Sequence, residues 1–154
     1  MSYIDRHLLP GEVVTFRTRL HWKLYVVPGL IAIILIGGAV WAFSSHQAIA
    51  LKVAPLVVAA LVLLVPWLHR ASSEFAVTNK RVVIKLGVLT TRSMELLLPK
   101  VEGITVTQSM FGRIFGYGEI VVTGSGGTQE PFDGIQAPLD FRQAVQAATD
   151  SGGR

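Results

Sequence analysis

The chain has 154 residues, enough for one modest domain or for a membrane anchor carrying a smaller one. Hydrophobic residues make up 51% and charged residues only 16%, against roughly 25% charged in an ordinary soluble domain, so a membrane protein is indicated before any motif is read. The absence of cysteine excludes disulfides, thiolate catalysis, iron–sulfur clusters and Cys-type zinc sites.

The net charge of +4 is not spread evenly. Residues 1–70 carry Arg6, Arg17, Arg19, Lys23, Lys52 and Arg70 against Asp5 and Glu12, whereas residues 71–154 carry eight basic and eight acidic side chains. The basic balance therefore accompanies the apolar stretches. No basic folded face of the kind nucleic acid requires is indicated, and nucleic acid is not an expected partner.

Residues 1–23 form an N-terminal segment. It does not read as a signal peptide, because its first apolar run begins after about twenty mixed residues and is too long for an h-region. Within it Val14, Phe16 and Leu20 alternate with Thr15, Arg17, Arg19 and His21, which predicts a strand over residues 12–21. A lone strand cannot satisfy its backbone or shelter its apolar face. It is therefore expected to pair with strands beyond the apolar stretch, making that stretch an insertion.

Residues 24–68 are predicted to be a transmembrane helical hairpin. Leu24–Phe43 holds no Asp, Glu, Lys, Arg or His, and twenty helical residues rise ~30 Å, the hydrocarbon thickness of a bilayer. Residues 49–68 form a second run, interrupted only by Lys52, which can snorkel to the interface. The intervening Ser44-Ser45-His46-Gln47-Ala48 allows only a tight turn, so the helices are antiparallel and both termini share one side. Arg17, Arg19, Lys23 and Arg70 flank the shared end and only Lys52 the turn, which places both termini in the cytoplasm of a two-span protein of the cell membrane. The residues expected at the two interfaces are Trp22, Lys23, Trp41, Lys52, Trp67 and Arg70. Pro28-Gly29 marks the first helix's start or a kink. Gly38 and Ala42, four apart, would let helices approach within the hairpin or between subunits.

From Ala71 the period changes to two. Phe75/Val77, Arg81–Leu86, Met94/Leu96/Leu98, Ile104/Val106, Ile120/Val122 and a short run to Phe132 read as strands, with turns at Asn79-Lys80, Gly87, Pro99 and Gly124–Gly127. The segment Met110–Phe115 reads first as a short helix packed on the barrel and second as an exposed patch facing membrane or partner. After Pro138, Phe141, Ala144, Val145 and Ala148 form a helical stripe over residues 138–149, with a flexible tail at 150–154. The predicted architecture is thus a membrane α-helical hairpin plus an all-β barrel domain over residues 71–149, of about seven strands with a C-terminal capping helix.

Several stretches carry a resemblance. Leu9-Pro10-Gly11-Glu12, Phe75-Ala76-Val77-Thr78-Asn79-Lys80-Arg81, Lys85-Leu86-Gly87, Gln108-Ser109 leading to Phe111-Gly112-Arg113-Ile114-Phe115-Gly116-Tyr117-Gly118, and Val122-Thr123-Gly124 are similar to those of bacterial pleckstrin-homology (PH) membrane proteins formerly grouped as a domain of unknown function. The resemblance covers most of the chain outside the apolar runs. It implies the PH-like barrel with a two-helix hairpin in the same place. It implies no catalytic motif and no ligand.

His7, His21, His46 and His69 have no metal-ligand spacing, the carboxylates are scattered singly, and no nucleophile–base set can be assembled. Gly124-Ser125-Gly126-Gly127 is read as a hairpin turn, because strand sequence rather than a helix follows it. No catalytic residue, metal or cofactor is expected. Lys80, Arg81, Lys85, Arg92, Lys100 and Arg113 read first as part of a mixed-charge solvated surface and second as a basic rim for anionic headgroups. The candidate contact surface comprises Lys80, Arg81, Arg92, Met110, Phe111, Arg113 and Phe115. The expected function is a non-enzymatic, membrane-anchored module for protein assembly at the cytoplasmic face. Its expected partners are the lipid bilayer and a second copy or another membrane protein. The alternatives are an anionic-lipid headgroup sensor and an oligomeric pore or transporter subunit.

Overall fold

The computed structural model describes residues 3–44, 48–88 and 92–152. It divides into two compact units, one formed by the residues up to His21 with those from Ser72 onward, the other by Trp22–Ala71. The predicted turn residues 45–47, His46 among them, lie outside the described residues.

The first unit is the β domain. Strand β1 (Val14–Thr18) is followed in the domain by β2 (Glu74–Thr78), β3 (Arg81–Leu86) and β4 (Arg92–Leu97), which pair antiparallel in the order β1-β2-β3-β4. A 3-10 turn at Leu98–Lys100 leads to β5 (Val101–Thr107), and β6 (Tyr117–Gly124) and β7 (Gln129–Gln136) complete a second antiparallel sheet. Past Thr18 the first strand changes sheets. Leu20 bridges to Ile135, the His21 N–H donates to the Gly134 carbonyl at 2.7 Å, and the Gln136 N–H donates to the Arg19 carbonyl at 3.0 Å. The N-terminal strand therefore stitches the two sheets together, with the apolar hairpin inserted between it and β2. Gly124–Gly127 forms the β6–β7 turn, where Gly126 and Gly127 adopt positive φ.

Period-two patterning delivers Phe75, Val77, Val82 and Ile84 from one sheet and Ile120 and Val122 from the other into a common core, and a register irregularity in the β6–β7 pairing lets both Phe132 and Ile135 join them. Phe75 meets Phe132 edge-on at 6.1 Å between centroids. Helix α5 (Pro138–Gly152) adds Phe141, Val145 and Ala148, all buried, and Phe141 lies edge-on to Phe16 at 6.4 Å. Burying each large apolar side chain contributes about 1.5–3 kcal/mol, so α5 acts as a closing wall of the core.

Strand β2 is buried on both faces rather than one. A short helix α1 (Tyr3–Arg6), which the sequence pattern did not announce, packs Ile4 on Ala76 and Val83, with Leu8 and Val14 beside them. Small Ala76 leaves the room that Ile4 fills.

The second unit contains a 3-10 turn (Trp22–Tyr25), α2 (Val26–Ser44) and α3 (Ile49–Ser72). Pro28 falls in the first turn of α2, where its missing N–H costs no helical hydrogen bond. Both helices are long and apolar enough to cross a membrane, and only 17% and 11% of their most apolar stretches are buried. Such low burial separates them from core helices of a soluble domain. The sheltered side chains are small ones, Ala32, Ala39, Ala42 and Ala59 with Pro66, while Ile, Leu and Val point outward. Ala42 is thus sheltered, but the space at Gly38 is open.

Candidate interaction surfaces

The basic side chains singled out from sequence do not converge. Lys80 and Arg81 sit at one end of β3, whereas Arg92 pairs in register with Leu86 at the other, five positions or about 17 Å away. Lys80 donates to the Pro10 carbonyl at 2.8 Å, and Arg92 pairs with Glu130. Arg81 is mostly buried, its side chain 12% exposed, and its Nε donates to Glu12 Oε1 at 2.8 Å while Nη2 donates to Glu12 Oε2 at 3.0 Å. It also bonds Glu95 and the His7 carbonyl.

Glu12 is a residue whose role the sequence did not reveal. Its fully buried carboxylate also accepts from the Leu9 N–H at 2.7 Å and from Thr78 Oγ1 at 2.9 Å. Asn79 completes the joint, accepting from the Val13 N–H and donating to the Gly11 carbonyl. The stretches Leu9–Glu12 and Thr78–Arg81, read separately in the sequence, are thus two halves of one fastening. Burial alone pushes the Glu12 carboxyl up. Hydrogen bonds from Arg81, Leu9 and Thr78 and the Arg81 charge outweigh it and hold the group below its ordinary value. The cluster binds chain to chain and offers no open position for a ligand.

Met110–Phe115 is a helix, α4, but its side chains are not packed on the barrel as the sequence first suggested. Met110 is 78% exposed, Phe111 64%, Ile114 70% and Phe115 51%. The reason is the inward residue. Gly112 is buried so closely against the backbone that a Cβ there would lie 2.6 Å from the Tyr117 carbonyl oxygen. A glycine-faced contact leaves no room for the large side chains beneath, so they turn outward. The ends are fixed: Ser109 Oγ accepts from the Gly112 N–H at 3.1 Å, and Gly116 closes the helix at φ +73°. Gln108 Nε2 donates to the Tyr117 carbonyl at 3.0 Å. Arg113 is exposed on the same ridge and lines a shallow cleft with Phe115, Ala137 and Asp140.

A second surface lies at the edge of β5, which among the described residues has no strand partner on its outer side. A groove of about 330 Å³ runs between this strand and α5, lined by Val101, Glu102, Gly103, Ile104, Gln146 and Asp150 among others. The space in front of Gly103 is open. The strand pattern made strand edges candidate contact surfaces, but which edge stays open and the groove beside it are not encoded in a motif.

Of the six residues expected at membrane interfaces, Trp22, Trp41 and Trp67 are exposed, and Lys23, Lys52 and Arg70 half-buried. Lys52 Nζ stands 5.6 Å from the Phe43 ring centroid, across the hairpin turn. Among the described residues, no group of three or more His, Asp or Glu side chains is placed to hold a metal ion.

A hairpin of apolar helices inserted after the first strand of a two-sheet barrel, with a helix closing the core, defines a PH-like membrane module. The family model described as Bacterial PH domain matches residues 14–149, and the chain belongs to that family. No curated protein and no solved structure matches it.

Proposed function

We propose that the chain is a non-enzymatic adaptor that crosses the bilayer twice, with both termini cytoplasmic, and recruits a protein partner through the groove between β5 and α5. The observation that carries the assembly role is the open outer edge of β5 beside a helix wall. A strand edge offers backbone N–H and C=O groups in a fixed register, and an extended partner segment can add to it as a further strand while its side chains enter the groove. Glu102 and Asp150 on the groove walls favour a segment bearing Lys or Arg.

Two features argue against the competing readings. Arg81, Arg92 and Lys80 are matched by Glu12, Glu95, Glu130 and a backbone carbonyl, which leaves the barrel without a concentrated basic rim for headgroup sensing. The spans carry no mid-depth ionisable side chain, and α2 is apolar around its whole circumference, which gives an ion or polar substrate no path.

Photo-crosslinking side chains placed at Gly103 and at Gln146 in native membranes should both yield the same discrete protein adduct, and one at exposed Ala147 should not. Absence of that adduct at both groove positions, or identical adducts at Ala147, refutes the groove as the contact.

A further inference from the structure

We propose that α4 is a shallow wedge inserted in the bilayer interface, its Met110, Phe111 and Ile114 side chains seated among the headgroups and upper acyl chains. The proposal rests on the reading that the two long helices cross the bilayer, and it is separate from the β5–α5 groove.

Three large apolar side chains are 64–78% exposed on one turn-and-a-half of helix. They are presented rigidly, since a side-chain cap at Ser109, a left-handed glycine at Gly116 and the Gly112 backbone contact fix the helix from both ends and below. Gln108–Tyr117 contains no acidic residue, and its single charge is Arg113. Apolar side chains with one accompanying cation suit an interface whose headgroups are anionic, where each basic residue gains modestly.

The location within the β domain supplies the occupant. Tyr117 directly follows the Gly116 cap, and its ring lies 4.9 Å, centroid to centroid, from that of His21. His21 is the last residue of the β domain before the apolar segment that begins at Trp22. The Ala137 N–H donates to the Gly116 carbonyl, and the neighbouring Gln136 N–H donates to Arg19, which ties the foot of α4 to the same departing strand. The end of α4 therefore stands roughly two residues, about 7 Å of extended chain, from the ring contact that marks where the chain leaves for the spans. The interfacial zone on each side of the hydrocarbon is about 5–8 Å deep, a depth of the same order as that chain length. Tethering by the spans also makes insertion intramolecular, and a helix of six residues, too short to bind membranes alone, then suffices.

The chain lacks cysteine, so a single introduced one labels uniquely. Full-length Phe111→Cys, and separately Ile114→Cys, would be labelled with an environment-sensitive fluorophore and reconstituted into vesicles containing about 30% anionic lipid, a fraction chosen to reproduce an anionic surface. The expected result is blue-shifted emission, quenched roughly threefold more by nitroxide near the headgroup than by nitroxide near the acyl-chain end. Val57→Cys, midway along α3, should show the opposite depth preference, and Lys80→Cys, at the far end of β2 from Ser72, should be quenched by neither. Water-like emission at positions 111 and 114, quenched by aqueous iodide as at position 80, overturns the wedge. Blue-shifted emission insensitive to both nitroxides also overturns it and assigns the ridge to a protein contact. If the Val57 label is likewise insensitive to deep nitroxide, the bilayer-crossing reading itself falls.

Discussion

Glu12 is charged and buried and its partner Arg81 mostly so, whereas Met110, Phe111 and Ile114 are apolar and exposed. Both reversals occur at loops of the same barrel, yet their physics differs. Each oxygen of the Glu12 carboxylate has two donors, and among the described residues no buried side-chain nitrogen or oxygen lacks a hydrogen-bond partner. The first reversal is therefore closed within the chain and serves folding. On α4 the contact with the barrel runs through Gly112, and Ser109 and Gly116 cap the helix. Its apolar side chains add little to the fold, which leaves them for an outside surface.

The largest expected effect lies on the buried side of this comparison. Glu12→Ala leaves the Arg81 guanidinium underpaired and frees the N-terminal segment from the β2–β3 turn. Breaking a buried pair costs about 3–5 kcal/mol, which for a domain of this size lowers the melting midpoint by on the order of 10–20 °C. Near-UV circular dichroism of the detergent-solubilised protein would measure it, and a fall under about 3 °C would show the pair to be dispensable. The pH dependence follows from sign. The Glu12 pKa is lowered in the fold relative to its ordinary 4.5, so its contribution is fully present above about pH 4.5 and is lost as pH falls through the depressed folded value. Glu12→Gln should accordingly show a shallower loss of stability on acidification than the natural chain.

The strands, the strand character of residues 12–21 and the Phe141/Val145/Ala148 stripe were legible because each is written in local periodicity, whereas the passage of the first strand from one sheet to the other was not. The Glu12–Arg81 joint joins residues 69 apart with the hairpin between them, and no period links such partners. Helix α1 was invisible for a related reason: four residues hold too few turns to show a stripe, and only Ala76 opposite Ile4 hints at a covering element. For α4 the clue was present but faint. Ser109 and Gly116 bracket a helix of six residues, and Gly112 is the one residue small enough to face the barrel. Apolar composition suggested packing, but a glycine as the inward residue dictates the reverse.

Gly112→Ala tests that close approach with an intermediate effect. A methyl group 2.6 Å from the Tyr117 carbonyl must push α4 away, because the obstructing atom is backbone. The loss should be about 1–3 kcal/mol, as for overpacking elsewhere, and should be read in the same melt. Amide exchange should quicken at Gly112 and Arg113, whose N–H groups bond Ser109, and remain unchanged around Glu12. A stability equal to that of the natural chain would mean that α4 is not held against the barrel through Gly112.

The smallest effect on folding belongs to the exposed residues themselves, and there smallness is the informative result. Met110→Ser with Ile114→Ser removes two large apolar groups that are 78% and 70% exposed. Were they part of the barrel core, the pair would cost about 4 kcal/mol or more. With both facing outward, the melt of the protein in mild detergent should move by no more than about 0.5 kcal/mol for each substitution. In lipid vesicles the same double variant should expose the β domain to added protease sooner, since what those side chains rest on is then the bilayer and not the barrel. A large loss in detergent would place them in the core after all, and an unchanged protease rate in vesicles would remove the bilayer as their partner.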